Sequence, residues 1–238
     1  MIHLHDIQTN DLGIPKNQME PLQCIDCGLM PYRESLDLQV DFHEKVSSGA
    51  LPSVILLVQH PPVITLGLHK DHNQLLRTEK KLSDMGIDVV QIRRGGGTTA
   101  HNPGQLVVYP IVRLDEFGFH VAPFVHYLEH LAIDVLSKTG IEAERRNRYP
   151  GLWVHGRKIA SVGVQVARGT SMHGIAINLY NDLGIFDHIV PCGITGVEMT
   201  SSEKEGGRKV PMQTLKDVIQ SRRIDLLSEY GAKRGASR

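Results

Sequence analysis

The groups in this chain that could do covalent chemistry are three cysteines and, among thirteen histidines, the one that follows a run of glycines. Cys192 stands in VPCGI, where proline and glycine fix a sharp turn and leave backbone amides beside the sulfur. A turn of that kind presents a nucleophile. An unperturbed thiol, with a pKa of about 8.5, is only a few per cent thiolate at neutral pH, so the chemistry needs a cation nearby. Lys158, His101 and His173 are the candidates. A cation about 4 Å from the sulfur, at an effective dielectric near 20, contributes about 4 kcal/mol before desolvation, enough to lower a thiol by about one to three pH units. Taken alone, Cys192 also fits the role of a small buried hydrophobe.

The second chemical feature is the stretch RRGGGTTAHNPGQLVVYP, residues 93–110. Gly95, Gly96 and Gly97 bring no side chain to pack and lose much conformational freedom on folding, so three together suggest close approach by another group. A long surface turn is the plainer alternative. Phosphate-binding glycine loops lead into a helix whose N-terminus receives the anion. No helical period follows Gly97 here; β-type runs flank the loop, IDVVQIR from Ile87 and QLVVYPIV from Gln105. The loop therefore joins strand to strand, and a nucleotide phosphate is not its expected visitor.

Two metal-like patterns are weaker. His126, Glu129 and His130 spell H-x-x-E-H, an inverted zinc-protease order. Both histidines lie off the apolar stripe of their helix, facing solvent, where a catalytic zinc would lack a dry cavity. Cys24 and Cys27 form a C-x-x-C pair with no second pair at finger or ribbon spacing, so packing within an early strand is their expected role. No metal is expected.

The elements that must position these groups follow from periodicity. Residues 31–48, PYRESLDLQVDFHEKVSS, read as a helix with a partial stripe of Leu36, Val40 and Phe42. SVILLVQ from Ser53 is a buried strand stopped by His60, Pro61 and Pro62, and VITLG resumes an extended run. Val121, Phe124, Val125, Leu128, Leu131, Ala132 and Val135 recur at helical spacing. GLWV, KIASVGVQVA and HGIAINLY read as three antiparallel strands with tight turns at His155-Gly156 and Arg168-Gly169. A last helix is expected over 212–230. Residues 1–21 read as a flexible extension, 22–230 as a single catalytic domain, and 231–238 as a disordered tail.

Within the three strands, Val162, Val164 and Val166 alternate with Ser161, Gly163 and Gln165, and Ile175, Ile177 and Leu179 with Gly174, Ala176 and Asn178. Each strand thus has a bulky face and a bare one. Adjoining bare faces would leave either close strand packing or a slot for an extended chain, where eight buried carbons would contribute roughly 6 kcal/mol at about 0.8 per methylene. Strict alternation puts Lys158 on the valine face, so bringing its ammonium to Cys192 requires a twist or bulge near Arg157.

Composition sets the outer bounds. With 26 basic and 26 acidic residues in 238, global attraction to nucleic acid or membrane is not expected, and any charged partner must find a local patch. Arg93, Arg94, Arg145, Arg146, Arg148, Arg157, Lys158 and Arg168 are the candidates. The odd cysteine count and the lack of a long apolar run or signal-peptide core point to a soluble cytoplasmic chain.

Arg94-Gly95-Gly96 followed by Thr99, His101, Pro103, Gly104, Gln105 and Tyr109 resembles the R-G-G-x-x-T-x-H-x-P-G-Q signature of lipoyl(octanoyl) transferases. LLVQHPPVITLG, GRKIASVGV, SMHGIAINL and FDHIVPCGI are similar to further blocks of that family, in its order, over residues 22–200. The resemblance implies an α/β (α+β) fold of the biotin and lipoate protein ligase type, with a mixed, largely antiparallel sheet flanked by helices. It implies transfer of an octanoyl, or lipoyl, group from acyl carrier protein to a lysine of a lipoyl domain through an acyl-cysteine. The acceptors implied are the lipoyl domains of 2-oxoacid dehydrogenase complexes and the glycine cleavage H protein, with no cofactor. By motif position Cys192 is the nucleophile and Lys158 the residue that lowers its pKa. Arg94, Gly95, Gly96, Gly97, Thr98, Thr99, Ala100 and His101, with Ser161, Val162, Gly163, Gly174, Ile175 and Ala176, would hold the acyl group. The chain departs from the family at Ala100, where an aromatic is common and whose small side chain would widen the pocket, and at Gln59, where glutamate is frequent. An ATP-dependent lipoate ligase, a cysteine thioesterase and a non-catalytic acyl-binding protein are the alternatives.

Overall fold

The computed structural model describes residues 22–231; the expected N-terminal extension lies outside them, as does the expected tail apart from Gly231, which ends the last helix. Two sheets organise the fold. The larger has seven strands in the order β1-β2-β6-β10-β9-β8-β7, formed by β1 (Leu22–Leu29), β2 (Ser53–Gln59), β6 (Gln105–Ile111), β7 (Glu144–Arg146), β8 (Tyr149–Val154), β9 (Arg157–Ala167) and β10 (Thr170–Asn178). Only β1 and β2 run parallel; all other pairs are antiparallel. The smaller sheet has the order β4-β3-β5, from β3 (Val63–Leu66), β4 (Asp88–Gln91) and β5 (Thr99–His101).

Alternation decides what each face meets. Val54, Leu56 and Val58 of β2, with Val107, Tyr109 and Ile111 of β6, pack under α1 (Tyr32–Ser47). Ile55, Leu57, Leu106, Val108, Ile175 and Ile177 point the other way, against α3 (Val121–Lys138) and α4 (Met212–Gly231). The largest sheet is therefore covered by helices on both faces, and all of β2 except Gln59 is buried. The stripe of α1 differs from the expected one: Leu38, Phe42 and Val46 are buried, Leu36 is half-buried, and Val40 is exposed. The 38-42-46 row follows the i, i+4 spacing that faces a flat sheet. In α3 the expected stripe holds for Phe124, Leu128, Leu131, Ala132 and Val135, while Val121, at the first turn, is exposed.

The three-strand unit β8-β9-β10 forms as its sequence predicts. Both turns are left-handed pairs, His155 (φ 46) with Gly156 (φ 87) and Arg168 (φ 51) with Gly169 (φ 75), the geometry that matches strand twist in two-residue hairpins. The stretch 93–110 is not wholly a loop. Thr99–His101 forms β5, pairing antiparallel with β3, so the glycines occupy a short connection between two strands of the small sheet. A short helix α2 (Glu79–Asp84), capped by the Thr78 side chain, covers β4. Cys24 and Cys27 lie half-buried in β1, and burial pushes their thiols up to about 12 and about 11.

Candidate active site

A cleft opens between the α1 face of the large sheet and strand β5 of the small one. It encloses about 440 Å³ of space, its open mouth included, lined by Thr99, His101, Tyr109, Ser161, Gly163, Gly174 and Ala176 among others. The bare faces do adjoin, because the register of β9 and β10 sets Gly174 opposite Gly163 and Ala176 opposite Ser161. The two glycines serve different ends. A Cβ at Gly163 would lie 2.9 Å from both Arg94 Cδ and the Gly95 carbonyl oxygen, so its absence lets the glycine loop sit on β9. A Cβ at Gly174 would run into the Val108 carbonyl oxygen; its bareness permits close strand packing.

The glycine loop is clamped from two sides. Gly95 N donates to Val164 O at 3.0 Å, and a Cβ at Gly97 would meet the backbone of His72. Thr98 is the hub: its carbonyl accepts from Cys192 N at 2.8 Å, its amide donates to His72 O, and its hydroxyl accepts from Gln74 N at 3.0 Å. These bonds tie the loop to the strap that carries Cys192. Arg94, Gly96, Thr99 and His101 line the cleft, as do Val162 and Ile175, whereas Gly95, Gly97, Thr98 and Ala100 do not. Ala100 points into the apolar cluster with Ile64, Ile185 and Phe186 on the far side of the small sheet. Widening of the pocket by Ala100 is thus corrected by strand alternation: residues 99 and 101 face the cleft and residue 100 faces away. Gln59, the other departure, accepts from Gly104 N at 2.8 Å.

Cys192 occupies a 3₁₀ turn, Pro191–Gly193, in left-handed geometry (φ 57, ψ 13), and its side chain borders the cleft. A non-glycine residue held at positive φ carries a cost that surrounding contacts must offset, a condition common at functional sites. The amides around it are engaged: Gly193 N donates to Val190 O at 3.2 Å and Ile194 N to Pro191 O at 3.0 Å. The backbone amides that the sequence sets beside the sulfur are therefore taken up by hydrogen bonds of the turn itself.

Lys158 reaches the site through the irregularity its sequence requires. Between Leu152↔Ala160 and Trp153↔Lys158 the β8-β9 register slips by one residue, leaving Ile159 as a bulge. Ile159 and Ala160 both enter the core against α3, and Lys158 turns to the opposite side. Its side chain is buried, Nζ donates to Pro150 O at 2.6 Å and sits 5.0 Å from the centre of the Trp153 ring. Burial lowers the Lys158 pKa below the ordinary lysine value, opposed by Cys192 and Glu129. The two other candidate cations fail. Burial holds His173 down to about 3 and His101 well below the ordinary histidine value, so neither offers a positive charge at neutral pH.

A second cationic side chain lines the same cleft as Cys192. Arg94 is buried, donates through Nη2 to Thr65 O and Oγ1 and through Nη1 to Gly95 O, and leaves Nε without a partner. Burial lowers its pKa, and Tyr32, Cys192 and Tyr109 oppose that shift. The sequence places Arg94 in a loop; only tertiary packing makes it an interior guanidinium. The inner wall of the cleft is polar. His60 Nδ1 donates to Met30 O at 2.8 Å, so its Nε2 accepts from the Tyr109 hydroxyl at 3.0 Å. His101 Nδ1 donates to Gln105 Oε1 at 2.7 Å, and its ring stacks on Tyr32. These inward histidines and tyrosines fall in apolar alternation and carry no local signal of convergence.

The basic patch thins once folded. Arg145 pairs with Glu129, Arg146 with Glu144, and Arg157 with Glu205. Arg93, Arg148 and Arg168 are exposed and have no ion pair among the described residues. Of the H-x-x-E-H pattern, His126 and His130 face solvent while Glu129 is buried. No helix of the described residues is long and apolar enough to cross a membrane.

Residues 31–222 match the family described as the lipoyl protein ligase A/B catalytic domain. An octanoyltransferase of Syntrophobacter fumaroxidans is 45% identical over 186 residues, covering 78% of this chain and 82% of that one. An octanoyltransferase of Rubrobacter xylanophilus is 40% identical over 207 residues, 86% of this chain and 93% of the relative. Among solved structures, a bipartite lipoate protein ligase from Thermoplasma acidophilum superposes with a TM-score of 0.64 at 14% identity, covering 88% of this chain and 82% of its own. A lipoate-protein ligase A bound with ATP gives a TM-score of 0.64 at 12% identity, with 88% and 84% coverage. The two structures share the fold.

Proposed function

Because the chain belongs to the lipoyl protein ligase A/B catalytic domain family, and its curated relatives at 35–45% identity are octanoyltransferases, we infer that it works by a cysteine-borne ping-pong transfer from acyl carrier protein. The chain is an octanoyltransferase of lipoate biosynthesis, moving an acyl group from a donor to lipoyl-domain acceptors. The observation that carries the mechanism is the bulge at Ile159, which puts the buried Lys158 on the side opposite Ile159 and Ala160 and within electrostatic reach of the cysteine bordering the cleft.

The Cys192 thiolate, held by the Lys158 ammonium and faced by the Arg94 guanidinium, attacks the thioester carbonyl of octanoyl-acyl carrier protein. Charge develops on the carbonyl oxygen. The amides of the strap being engaged, Lys158 and Arg94 supply the positive potential that stabilises it. The carrier thiolate departs with a proton from Lys158, leaving octanoyl-Cys192 and a neutral lysine. The amine of the acceptor lysine then attacks the new thioester, its surplus proton passes to Lys158, and the Cys192 thiolate is released. Lipoyl domains of 2-oxoacid dehydrogenase complexes and the glycine cleavage H protein are the acceptors this reading assigns. Arg93, Arg148 and Arg168 offer the exposed charge for acidic partners.

The test is intact-mass analysis after mixing the protein with octanoyl-acyl carrier protein in the absence of ATP. An adduct of octanoyl mass on Cys192, discharged by addition of a lipoyl domain, is expected. An absolute need for ATP, with no adduct, would instead identify a ligase. Gly163→Ala is expected to push Arg94 and the Gly95 carbonyl off β9 and so misplace the acyl group. It should lower kcat/KM for the donor by about ten- to hundredfold; unchanged kinetics would show that the loop does not hold the donor.

A further inference from the structure

Glu129 takes no part in the reaction as drawn, yet it is buried and its carboxylate points at the lysine's support. Oε1 accepts from the Gly151 amide at 2.8 Å. Oε2 accepts from Arg145 Nε at 3.1 Å and lies 3.0 Å from His126 Nδ1. The peptide whose N–H meets Glu129 is that between Pro150 and Gly151, and its carbonyl accepts from Lys158 Nζ at 2.6 Å. Carboxylate, peptide and ammonium form one chain. A negative charge on the N–H side of a resonant peptide draws density toward the carbonyl oxygen, and linked hydrogen bonds strengthen one another in a low-dielectric interior.

Gly151 is fitted to this arrangement. Its φ is +113, and a Cβ there would collide with the Ala160 carbonyl oxygen and lie 3.1 Å from Lys158 Cε and Nζ. No side chain can stand between the peptide and the ammonium. We propose that Glu129 is a positioning residue for Lys158, acting through the Pro150-Gly151 peptide to fix the ammonium against Cys192 and keep it protonated. This rests on the reading of Lys158 and Cys192 as the reacting pair. The groups facing Lys158 are Cys192 from its strap, Glu129 from α3 and the Trp153 ring from β8. Behind them stand Arg145 and His126 on Glu129, and Arg146 on Trp153. Arg157, the neighbour in sequence, is held by Glu205.

Glu129→Gln keeps an oxygen for the Gly151 amide and removes the charge. The alkaline limb of the pH profile for acyl-Cys192 formation, where Lys158 loses its proton, is expected to fall by about one pH unit, with KM for the donor unchanged. Arg145→Gln, which removes the partner cation and leaves the carboxylate, should not lower that limb. A Glu129→Gln profile superposed on that of the parent protein, or an equal downward shift in Arg145→Gln, overturns the proposal. A measurement on the unaltered resting protein guards against misfolding of the variant. The Gly151 amide proton resonance should move in step with ionisation of Lys158, and an amide that stays fixed across that range also overturns it. This titration needs no donor, so failure to trap octanoyl-Cys192 would count against the transfer mechanism and leave the Glu129 test intact.

Discussion

Cys192→Ser is expected to lower octanoyl transfer at least about 10⁴-fold, because serine at this position has neither the thiol's acidity nor its nucleophilicity. The histidines of the cleft cannot compensate as general bases, because burial lowers His173 to about 3 and His101 well below the ordinary histidine value and so makes both weak bases. Lys158→Ala should cost about 10²–10⁴-fold, the usual range for a group that moves protons in the transition state. Added small primary amines, diffusing into the vacated space, should restore part of that rate. Lys158→Met separates function from stability. It removes a charge whose burial is unfavourable, as the lowered pKa records, and keeps the side-chain volume. Activity should vanish while the thermal midpoint rises by about 2–4 °C. A midpoint that falls would show that the ammonium stabilises the fold, contrary to this account. Octanoyl transfer at parental rates in Cys192→Ser would refute the acyl-cysteine outright.

The protein is expected to lose stability steeply below about pH 6.5, well above the range where carboxylates titrate. Three buried histidines are responsible, His101 and His173 lining the cleft and His60 packed behind His101. Burial holds His60 down to about 4, His173 to about 3 and His101 well below the ordinary value. All three folded-state values lie below the unfolded value of about 6.5, so above that pH both states are neutral and the full stability is present. As pH falls, the unfolded chain takes up protons that the folded chain refuses until the folded values are reached. Each such group contributes a slope of about 1.4 kcal/mol per pH unit. Three together approach about 4 kcal/mol per unit, set against a total stability of about 5–15 kcal/mol for a domain. The urea midpoint measured from pH 7.5 to 4.5 should therefore fall sharply, with an unfolding-linked uptake near three protons at its steepest. His60→Gln should reduce that uptake by one. A midpoint flat between pH 6.5 and 5 would mean the histidines are not held neutral.

The same cluster shows why much of the site was hidden in the chain. His60 follows β2, while His101 and His173 belong to β5 and β10; each lies within an unremarkable strand region, and nothing local says that they meet. Arg94 reads as a loop cation, yet it is closed in by Thr65, Gly95 and the α1 tyrosine, Tyr32. The basic residues clustered in sequence suggested a docking surface, but ion pairing consumes Arg145, Arg146 and Arg157 through glutamates at positions 129, 144 and 205. Two of these partners, Glu129 and Glu205, lie far along the chain from the arginines they pair with, and only Glu144 is a near neighbour.

The chain alone determined what depends on short-range physics. Alternation placed Ile175 and Ile177 in the core and gave β9 and β10 a bare face each, because side chains on a strand must point to opposite faces. His155-Gly156 and Arg168-Gly169 specified the hairpins through their left-handed conformations, and the Pro-Cys-Gly turn raised Cys192 from its strap. Tertiary structure decided what depends on a single-residue slip or on contact between distant strands. The bulge at Ile159 turned Lys158 away from the core face and within electrostatic reach of Cys192, the pairing of β5 with β3 set Ala100 on the face away from the cleft, and packing drew Glu129 inward to the lysine's supporting peptide. A period of two is silent about where it is broken; the break becomes favourable only when the rest of the fold supplies its partners.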